Sequence, residues 1–444
     1  MQTLYETQRI MRQKRRVALQ RGVVAILDVG TSKIVCMILQ FDPSVQMHAS
    51  EGMGAIAKHG AFRIIGVAKT RSRGVKLGEI STMEETERAV RTAVQGAQKM
   101  ANVRVDHVMA CFSGANPKSY GLAGEVEVET GNVTDMDISR VLAACNAPDF
   151  GDGREAIHAM PVNFALDQNP SLSDPRGQIG HLLSVDMHLL TIDTRVIQNL
   201  ITCIKRCDLE LAGVVSSAYA SAISALVEDE QELGAACIDI GGGSTSVSVF
   251  LRKQMIFADS VRIGGDHVTS DLSSGLQIPR NTAERIKTIH GGVVATSMDD
   301  RDMIDVDGQS GDWDHDRRQF TRSEIIGIIR PRVEEILEEV YHKLQAARFD
   351  TLPSQRIVLT GGASQISGME GLASRILGQQ VRLGRPLRVH GLPQAATGPD
   401  YAAPVGLALY AAHPQDECWD FDLPAQKFGV KPMKRALQWV KENW

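Results

Sequence analysis

Two stretches of the chain show the same order of apolar and polar positions. In the first, the apolar run 23–28 ends in an aspartate, a small polar turn follows, and a second apolar run returns over 34–40. In the second, the run 235–239 also ends in an aspartate, and 247–251 returns after a glycine-rich turn. Continuous apolar runs of this length are typical of buried strands. Two copies of one strand–turn–strand unit predict a pseudo-symmetric molecule with a ligand between the copies.

The remaining pattern predicts helices around these units and a small module between them. Apolar residues recur at helical spacing over 82–100, 194–207 and 323–346. Residues 107–184 combine short strand-like runs with a capped helix that begins after Thr134, as in a small α+β module. A chain of 444 residues is too long for one hydrophobic core. We therefore predict an α/β protein of two lobes with an inserted module.

The C-terminal part of the chain changes in composition. Residues 414–429 are acidic and contain two prolines, which predicts a flexible linker. Residues 430–444 predict an amphipathic helix on a membrane surface, because basic residues flank an apolar stripe. A terminal helix docked on its own domain is the alternative. The predicted lipid contacts are the stripe residues Met433, Leu437, Val440 and Trp444, with Trp439 beside them at headgroup depth.

The N-terminal segment 1–22 is rich in arginine and lysine. No apolar core follows these charges, so the segment is not a secretory signal. We expect a solvated basic arm, and a second contact with anionic lipid is the alternative. No apolar run in the sequence approaches the roughly 20 residues that a membrane-spanning helix requires.

Charge and cysteine content argue against a nucleic-acid-wrapping protein and against a zinc site. The net charge of −5 argues against a protein that wraps nucleic acid. The seven cysteines are scattered and mostly lie in apolar stretches, which predicts free core thiols in a reducing compartment, the cytoplasm. Cys203 and Cys207 lie one helical turn apart, but no nearby histidine or second cysteine pair completes a zinc site.

The two glycine turns are the candidate phosphate-binding site. Neither a P-loop motif nor a dinucleotide fingerprint is present. Glycine lets backbone N–H groups approach phosphate oxygens closely, adjacent hydroxyls add donors, and an aspartate at each strand end can hold water on Mg²⁺. Two such turns facing each other would clamp a polyphosphate, whereas each turn alone could be an ordinary hairpin. The candidate residues are Asp28, Gly30, Thr31, Ser32 and Lys33 in the first turn, and Asp239, Gly241, Gly242, Gly243, Ser244 and Thr245 in the second, with Asp28 and Asp239 as the candidate Mg²⁺ residues.

A third motif, Leu359-Thr360-Gly361-Gly362-Ala363, follows the two turns along the chain. Together the three motifs resemble the phosphate and adenosine motifs of the actin, Hsp70 and sugar-kinase superfamily. Within that superfamily the sequence is most similar to the FtsA family of bacterial cell-division proteins, from about Val23 to the end. The resemblance implies an actin-like two-lobed ATPase fold with an inserted 1C domain and a C-terminal amphipathic helix.

The resemblance also implies a division of the chain into domains. Two lobes are each built from segments that are separated in sequence, and the inserted domain interrupts the first. The predicted division is 1–22 for the N-terminal arm; 23–104, 185–213 and 391–413 for domain 1A; 105–184 for domain 1C; 214–261 and 326–390 for domain 2A; 262–325 for domain 2B; 414–429 for the linker; and 430–444 for the membrane helix.

ATP or ADP with Mg²⁺ is the ligand that the resemblance implies. Gly361, Gly362 and Ala363 would form the adenosine motif, and Glu284 and Lys287 would flank the ribose and adenine. An exposed i,i+3 ion pair is the alternative for that pair. Between Val214 and Leu226, where hydrolytic members carry their water-orienting residue, the sequence has no Asp, Glu, Asn or Gln. We therefore predict no catalytic base and at most slow ATP turnover.

The partners come from the resemblance alone. It implies that the FtsZ tail docks on domain 2B, with Arg332 as the candidate contact, and a solvated arginine is the alternative for that position. It further implies self-association into filaments, contacts with later division proteins through domain 1C, and a place on the cytoplasmic face of the inner membrane at the division site. A kinase or chaperone-type ATPase and an actin-like inner-membrane component of a type IV pilus machine are the competing functions.

Overall fold

The computed structural model describes residues 2–41, 62–146, 153–307 and 317–421. The strands are β1 (Val23–Val29), β2 (Lys33–Phe41), β3 (Phe62–Arg71), β4 (Val75–Lys76), β5 (Glu79–Ile80), β6 (His107–Phe112), β7 (Lys118–Glu127), β8 (Arg154–Leu166), β9 (Asn169–Leu172), β10 (Leu182–Asp193), β11 (Glu210–Ser216), β12 (Ala235–Ile240), β13 (Thr245–Leu251), β14 (Gln254–Val261), β15 (Met303–Asp307), β16 (Arg317–Thr321), β17 (Arg356–Thr360) and β18 (Val381–Leu383). The helices are α1 (Gln2–Gln20), α2 (Met83–Ala101), α3 (Asp135–Ala144), α4 (Thr194–Arg206), α5 (Ser217–Ala225), α6 (Glu228–Leu233), α7 (Gly265–Gly275), α8 (Arg280–His290), α9 (Arg322–Ala346), α10 (Met369–Leu377) and α11 (Ala402–Ala412).

Two five-stranded sheets form the two lobes, and both repeat the same arrangement. The first has the order β11-β6-β1-β2-β3 and the second the order β14-β13-β12-β17-β18. In each, the central strand pairs antiparallel with the strand after its turn and parallel with one further neighbour, β6 beside β1 and β17 beside β12. The predicted two-lobed repeat is confirmed.

Helices pack against the sheets of both lobes, and the core of the first lobe continues onto one face of the second sheet. In the first lobe α2 packs on β2 and β3, and α11 packs on β1, β2 and β6. The two lobes meet where α5 contacts α11, because α5 follows a strand of the first sheet and also packs on β12 and β13 of the second. Gly406 on α11 allows this contact, since a Cβ atom there would lie 1.7 Å from the carbonyl oxygen of Ala220 on α5.

The inserted module is a four-stranded antiparallel sheet in the order β7-β10-β8-β9, covered by α3. The predicted capped helix is confirmed: Thr134 and Asp137 form a reciprocal capping box at the start of α3. Ser119 of β7 joins the module to the second lobe, because its Oγ lies 2.8 Å from both the N–H and the carbonyl of Ala258.

The N-terminal segment is not a solvated arm, and that prediction was wrong. Residues 2–20 form α1, which packs on β11, β1 and β6 of the first lobe. Met11 and Ala18 lie in the core, and Arg12 and Arg15 are buried. Arg12 could be buried because Glu417 and Asp420, from the far end of the chain, pair with it, and no local sequence pattern shows that pairing.

The predicted linker is packed over its first half, which corrects a second expectation. Glu417 is fully buried, Trp419 is buried, and Cys418–Asp420 form a 3₁₀ turn against α1. The remainder of the linker and the predicted membrane helix, with Met433, Leu437, Trp439, Val440 and Trp444, lie outside the described residues. None of the helices within the described ranges is long and apolar enough to cross a bilayer. All seven cysteines are free, as predicted.

Candidate nucleotide site

Both glycine turns open on one cavity of about 560 Å³ between the lobes. The cavity exists because β1 and β12 end at the same cleft, and each strand is followed directly by its turn. Most of the predicted residues line it: Asp28, Gly30, Thr31, Ser32 and Lys33; Asp239, Gly241, Gly242 and Ser244; Glu284 and Lys287; and Gly361, Gly362 and Ala363.

The first turn is held by short-range hydrogen bonds. The Gly30 N–H donates to the Lys33 carbonyl at 3.2 Å, which closes the hairpin between β1 and β2. A Cβ atom on Gly30 would lie 2.8 Å from that carbonyl oxygen, so glycine is required for the tight closure. The Thr31 hydroxyl accepts a hydrogen bond from the Gly78 N–H at 2.9 Å. Thr31 is therefore fixed by the protein.

The second turn combines a closed backbone with an unpartnered hydroxyl. The Gly241 N–H donates to the Ser244 carbonyl at 3.0 Å, and the Gly241 carbonyl accepts from the Gly265 N–H at 2.9 Å. Ser244 is buried, and its Oγ has no hydrogen-bond partner among the described residues. A buried hydroxyl without a partner is costly to the fold, and this one lines the cavity. It is suited to donate to an anionic ligand.

The two turns touch each other, and glycine makes the contact possible. A Cβ atom on Gly242 would lie 2.0 Å from the Ser32 Oγ, and one on Gly243 would lie 2.5 Å from the Thr31 Oγ1. Two predicted binding residues are therefore used differently. Gly243 does not line the cavity but packs against Thr31, and the buried Thr245 donates its hydroxyl to the Ile263 carbonyl at 2.8 Å.

Two carboxylates stand at the strand ends below the turns. Asp28 is buried, and its Oδ1 accepts a hydrogen bond from the Cys111 thiol at 3.3 Å. Asp239 is partly exposed and accepts a hydrogen bond from the Ser221 hydroxyl on α5. Burial raises the pKa of Asp28 to about 6 and also raises the pKa of Asp239. Two carboxylates that are costly to ionise together fit a site that gains a hydrated divalent cation.

The third motif joins the second turn through strand pairing. Asp239 on β12 lies opposite Thr360 on β17, so Gly361 and Gly362 emerge beside the second turn. Gly361 has φ +87°, and a Cβ atom there would lie 2.3 Å from the Asp239 Oδ1. Only glycine is compatible with both the backbone angle and the space.

Glu284 and Lys287 on α8 form an i,i+3 ion pair, but only Glu284 is exposed to solvent. Lys287 Nζ lies 2.7 Å from the Glu284 carboxylate and also donates to the Gly265 carbonyl and the Thr269 hydroxyl. Lys287 is buried, whereas the Glu284 side chain is about half exposed to solvent at 51%. Lys287 therefore fixes α8 to the start of α7 and also borders the cavity.

Several cavity residues were not predicted from the sequence. Ser217 at the start of α5 lies 3.2 Å from the Ser246 hydroxyl, and Arg322 at the start of α9 donates to the His290 carbonyl. Asp400, in the turn before α11, pairs with Lys33. A sequence signal for Asp400 was absent, because it lies 367 residues from its partner.

Arg332, the candidate partner contact, lies outside this cavity. Its guanidinium Nε is 2.6 Å from the Asp271 carboxylate on α7, and its side chain is 28% exposed. It is thus neither a free solvated arginine nor a buried one. It ties α9 to α7 and keeps part of its surface accessible.

Comparisons with known proteins give a consistent result. Residues 236–406 match the family model described as "Cell division protein FtsA", and residues 114–191 match the model "SHS2 domain inserted in FTSA". The FtsA of Rhizobium meliloti (strain 1021) is 37% identical over 95% of both chains. The FtsA of Pseudomonas aeruginosa is 29% identical over 96% of this chain and 100% of its own.

Solved structures show the same fold at low identity. The PilM-PilN type IV pilus biogenesis complex matches with a TM-score of 0.57 at 15% identity, over 88% of this chain and 99% of that chain. MreB 5 of Spiroplasma citri bound to AMPPNP matches with a TM-score of 0.50 at 13% identity, over 87% of this chain and 95% of that chain. At these identities the similarity establishes the actin-like fold alone.

Proposed function

The chain belongs to the FtsA family of cell-division proteins, and from this premise we propose that it is an ATP-binding adaptor of the division machinery. It polymerises on the inner face of the cytoplasmic membrane, tethers FtsZ filaments there and recruits later division proteins, some of them through the inserted module. The proposed binding of ATP rests on one observation: two aspartate–glycine turns contact each other over a single cavity.

ATP with Mg²⁺ is the ligand that fits the donor set. Backbone N–H groups of the turns, the Ser244 hydroxyl and Lys33 supply donors for phosphate oxygens. Asp28 and Asp239 would hold water on a Mg²⁺ ion, which supplies positive charge against the phosphates. Gly361, Gly362 and Ala363, with Glu284 and Lys287 opposite, would hold the adenosine end.

Turnover is slow in this proposal. Helix α5 places only hydroxyls at the cavity: Ser217 lines it, and Ser221 is engaged by Asp239. In-line attack on the γ-phosphate needs a side chain that orients water. With no carboxylate or amide on α5, bound ATP sets a conformational or polymer state and is consumed slowly.

Attachment to the membrane depends on residues 430–444. A single amphipathic helix of this length binds lipid reversibly, so stable attachment requires several copies side by side. Self-association into filaments supplies those copies. The FtsZ tail would contact domain 2B near Arg332, whose charge is partly accessible beside Asp271.

Nucleotide binding is tested by calorimetry with Mg-ATP and Mg-ADP on the full chain. We expect the wild-type chain to bind both nucleotides and the Asp239→Asn variant to bind them more weakly. Asp271→Asn is the control, since Asp271 pairs with Arg332 on a surface outside the cavity. No binding by the wild-type chain, or equal binding by both variants, would contradict the assignment of the cavity.

Membrane binding is tested by co-sedimentation with anionic liposomes and FtsZ, with and without ATP. The matched truncation ends after Phe421, because a chain that ends near Pro414 would also lose Glu417, Trp419 and Asp420 from the folded body. Leu437→Glu and Trp444→Glu should leave the chain in the supernatant, whereas Gln438→Glu adds the same charge off the apolar stripe and should still pellet. Equal pelleting of all variants would refute the lipid assignment.

FtsZ binding is tested with the isolated tail peptide. Arg332→Ala should weaken it, whereas Arg330→Ala, on the same helix and paired with Glu334, should not. The competing assignment, a type IV pilus component, is less supported, because relatives over nearly the whole chain carry the FtsA name. A mid-cell ring that disappears on FtsZ depletion supports the division role, and a stable polar or diffuse signal contradicts it.

A further inference from the structure

Asp400 lines the cavity from a turn whose backbone is hydrogen-bonded to the third glycine motif. It lies in the 3₁₀ turn Pro399–Tyr401, directly before α11. The Pro399 carbonyl accepts hydrogen bonds from the Gly361 N–H and the Thr360 hydroxyl, both at 3.2 Å. The backbone of this turn is therefore tied to the third glycine motif, and Asp400 lines the cavity.

Lys33 is bound to this same turn. Its Nζ forms an ion pair with the Asp400 carboxylate and lies 3.8 Å from the ring centroid of Tyr401. The Lys33 and Asp400 side chains are 23% and 34% exposed, so both remain accessible from the cavity. The lysine that the phosphate motif offers to a ligand is thus already paired with an internal anion.

We propose that Asp400 is a competing counter-ion in the nucleotide site, which phosphate must displace from Lys33. The inference rests on the proposed binding of ATP. Once a phosphate takes Lys33, three carboxylates that line the cavity have no ion-pair partner among the described residues: Asp28, Asp239 and Asp400. The other two, Asp266 and Glu284, keep Arg280 and Lys287 as partners. Repulsion from the three unpaired carboxylates disfavours metal-free nucleotide, and Mg²⁺ offsets it. Asp400 thereby makes the site selective for the Mg²⁺ complex over the free nucleotide.

The test measures ATP affinity of the full chain with Mg²⁺ and with EDTA. Asp400→Asn should bind metal-free ATP at least about tenfold more tightly than wild type, since Lys33 is released and one negative charge is removed. Mg²⁺ should therefore raise the ATP affinity of Asp400→Asn by a smaller factor than it raises the affinity of wild type. Asp271→Asn is the control, because Asp271 lies outside the cavity and pairs with Arg332, and it should change metal-free affinity by less than about threefold.

A double-mutant cycle with Lys33→Met separates competition from general charge removal. In the Lys33→Met background, Asp400→Asn should raise the affinity for metal-free ATP by a smaller factor than it does in the presence of Lys33. If Asp400→Asn leaves metal-free affinity unchanged or weakens it while wild type binds Mg-ATP, the counter-ion role is refuted and nucleotide binding stands. If wild type binds no Mg-ATP, the proposed function fails, and the inference fails with it.

Discussion

The guanidinium of Arg12 lies 3.2 Å from the Oε1 of Glu417, which joins the first helix to the last described segment of the chain. The Glu417 carboxylate also accepts hydrogen bonds from the Tyr410 hydroxyl, the Trp419 indole and the Ala159 N–H, and lies 3.1 Å from His158 Nδ1. Burial opposes its ionisation, but His158, Arg12 and these hydrogen bonds outweigh burial and lower the pKa of Glu417 to about 2. One buried carboxylate thus fixes the point from which the C-terminal tail departs.

Removal of Arg12 should therefore destabilise the whole first lobe. Arg12→Met keeps the apolar stem but leaves the buried Glu417 and the half-buried Asp420 without their guanidinium partner, which we expect to cost about 3–5 kcal/mol. Lys14→Met is the control on the same helix, because the Lys14–Glu210 pair is exposed and should contribute less than about 1 kcal/mol. Thermal unfolding compares the two, and similar melting temperatures would show that Arg12 does not stabilise the fold.

Arg12→Met should also make the segment 413–421 open more often. Hydrogen exchange over residues 413–421 should accelerate in Arg12→Met and remain at the wild-type rate in Lys14→Met. Unchanged exchange in both variants would show that contacts other than the ion pair hold this segment.

Magnesium binding should depend on the ionisation of Asp28. Burial raises the pKa of Asp28 to about 6, so the carboxyl group takes up a proton as the pH falls through 6 and loses its charge. The affinity of the chain for Mg-ATP should therefore fall between pH 7.5 and 5.5. Asp28→Asn should bind more weakly at pH 7.5 and show a flatter profile, and equal slopes for the two chains would exclude Asp28 as the titrating group.

The stability of the ligand-free chain should respond in the opposite sense. A carboxyl group whose folded-state pKa is raised contributes stability below the unfolded value, and that contribution is lost as pH rises through the folded value. The window is therefore from about pH 4 to about pH 6. Ligand-free Asp28→Asn should melt no lower than wild type at pH 8, although it binds Mg-ATP less well. A lower melting temperature for the variant would contradict the unfavourable burial of the charge.

Ser244 should contribute to ligand binding without contributing to the fold. Its hydroxyl is buried without a partner in the described structure, so Ser244→Ala should lower ATP affinity by about tenfold and leave the melting temperature unchanged or higher. Ser248→Ala, on the strand that follows the turn, loses a hydrogen bond to the Ala218 carbonyl outside the cavity. That control should lower stability and preserve affinity, and the reverse pattern would refute the role of Ser244.

Gly243 should tolerate no side chain, because it lies where the two turns meet. A Cβ atom would be 2.5 Å from the Thr31 Oγ1 and 3.0 Å from the Leu77 Cα, so Gly243→Ala should cost about 1–3 kcal/mol and weaken nucleotide binding. Apart from the chain neighbours of Gly371 and the backbone of its own helix, α10, no atom of the described residues lies within 4 Å of the ideal Cβ position, and Gly371→Ala should raise stability by about 0.5–1 kcal/mol. Binding that is equal in both variants would show that the turns need not touch.

Much of the fold was predictable because burial leaves a local pattern. The runs at 23–28 and 235–239 are strands, and each ends in its aspartate beside a glycine turn. The helix after Thr134 begins at its capping box, since that signal spans four residues. The third motif could be matched to a family, but its place beside Asp239 follows from the pairing of β17 with β12.

The sequence by itself determined the two-lobed α/β architecture, the positions of the glycine turns and the free cysteines. Apolar periodicity and turn chemistry act over a few residues, so both are visible in the sequence. Only the tertiary structure decided that α1 is buried, that residues 414–421 belong to the folded body, and that Asp400 reaches Lys33. Each of these depends on a charge that pairs with an opposite charge hundreds of residues away in the sequence. A charge is buried at low cost only when such a partner lies beside it in the fold.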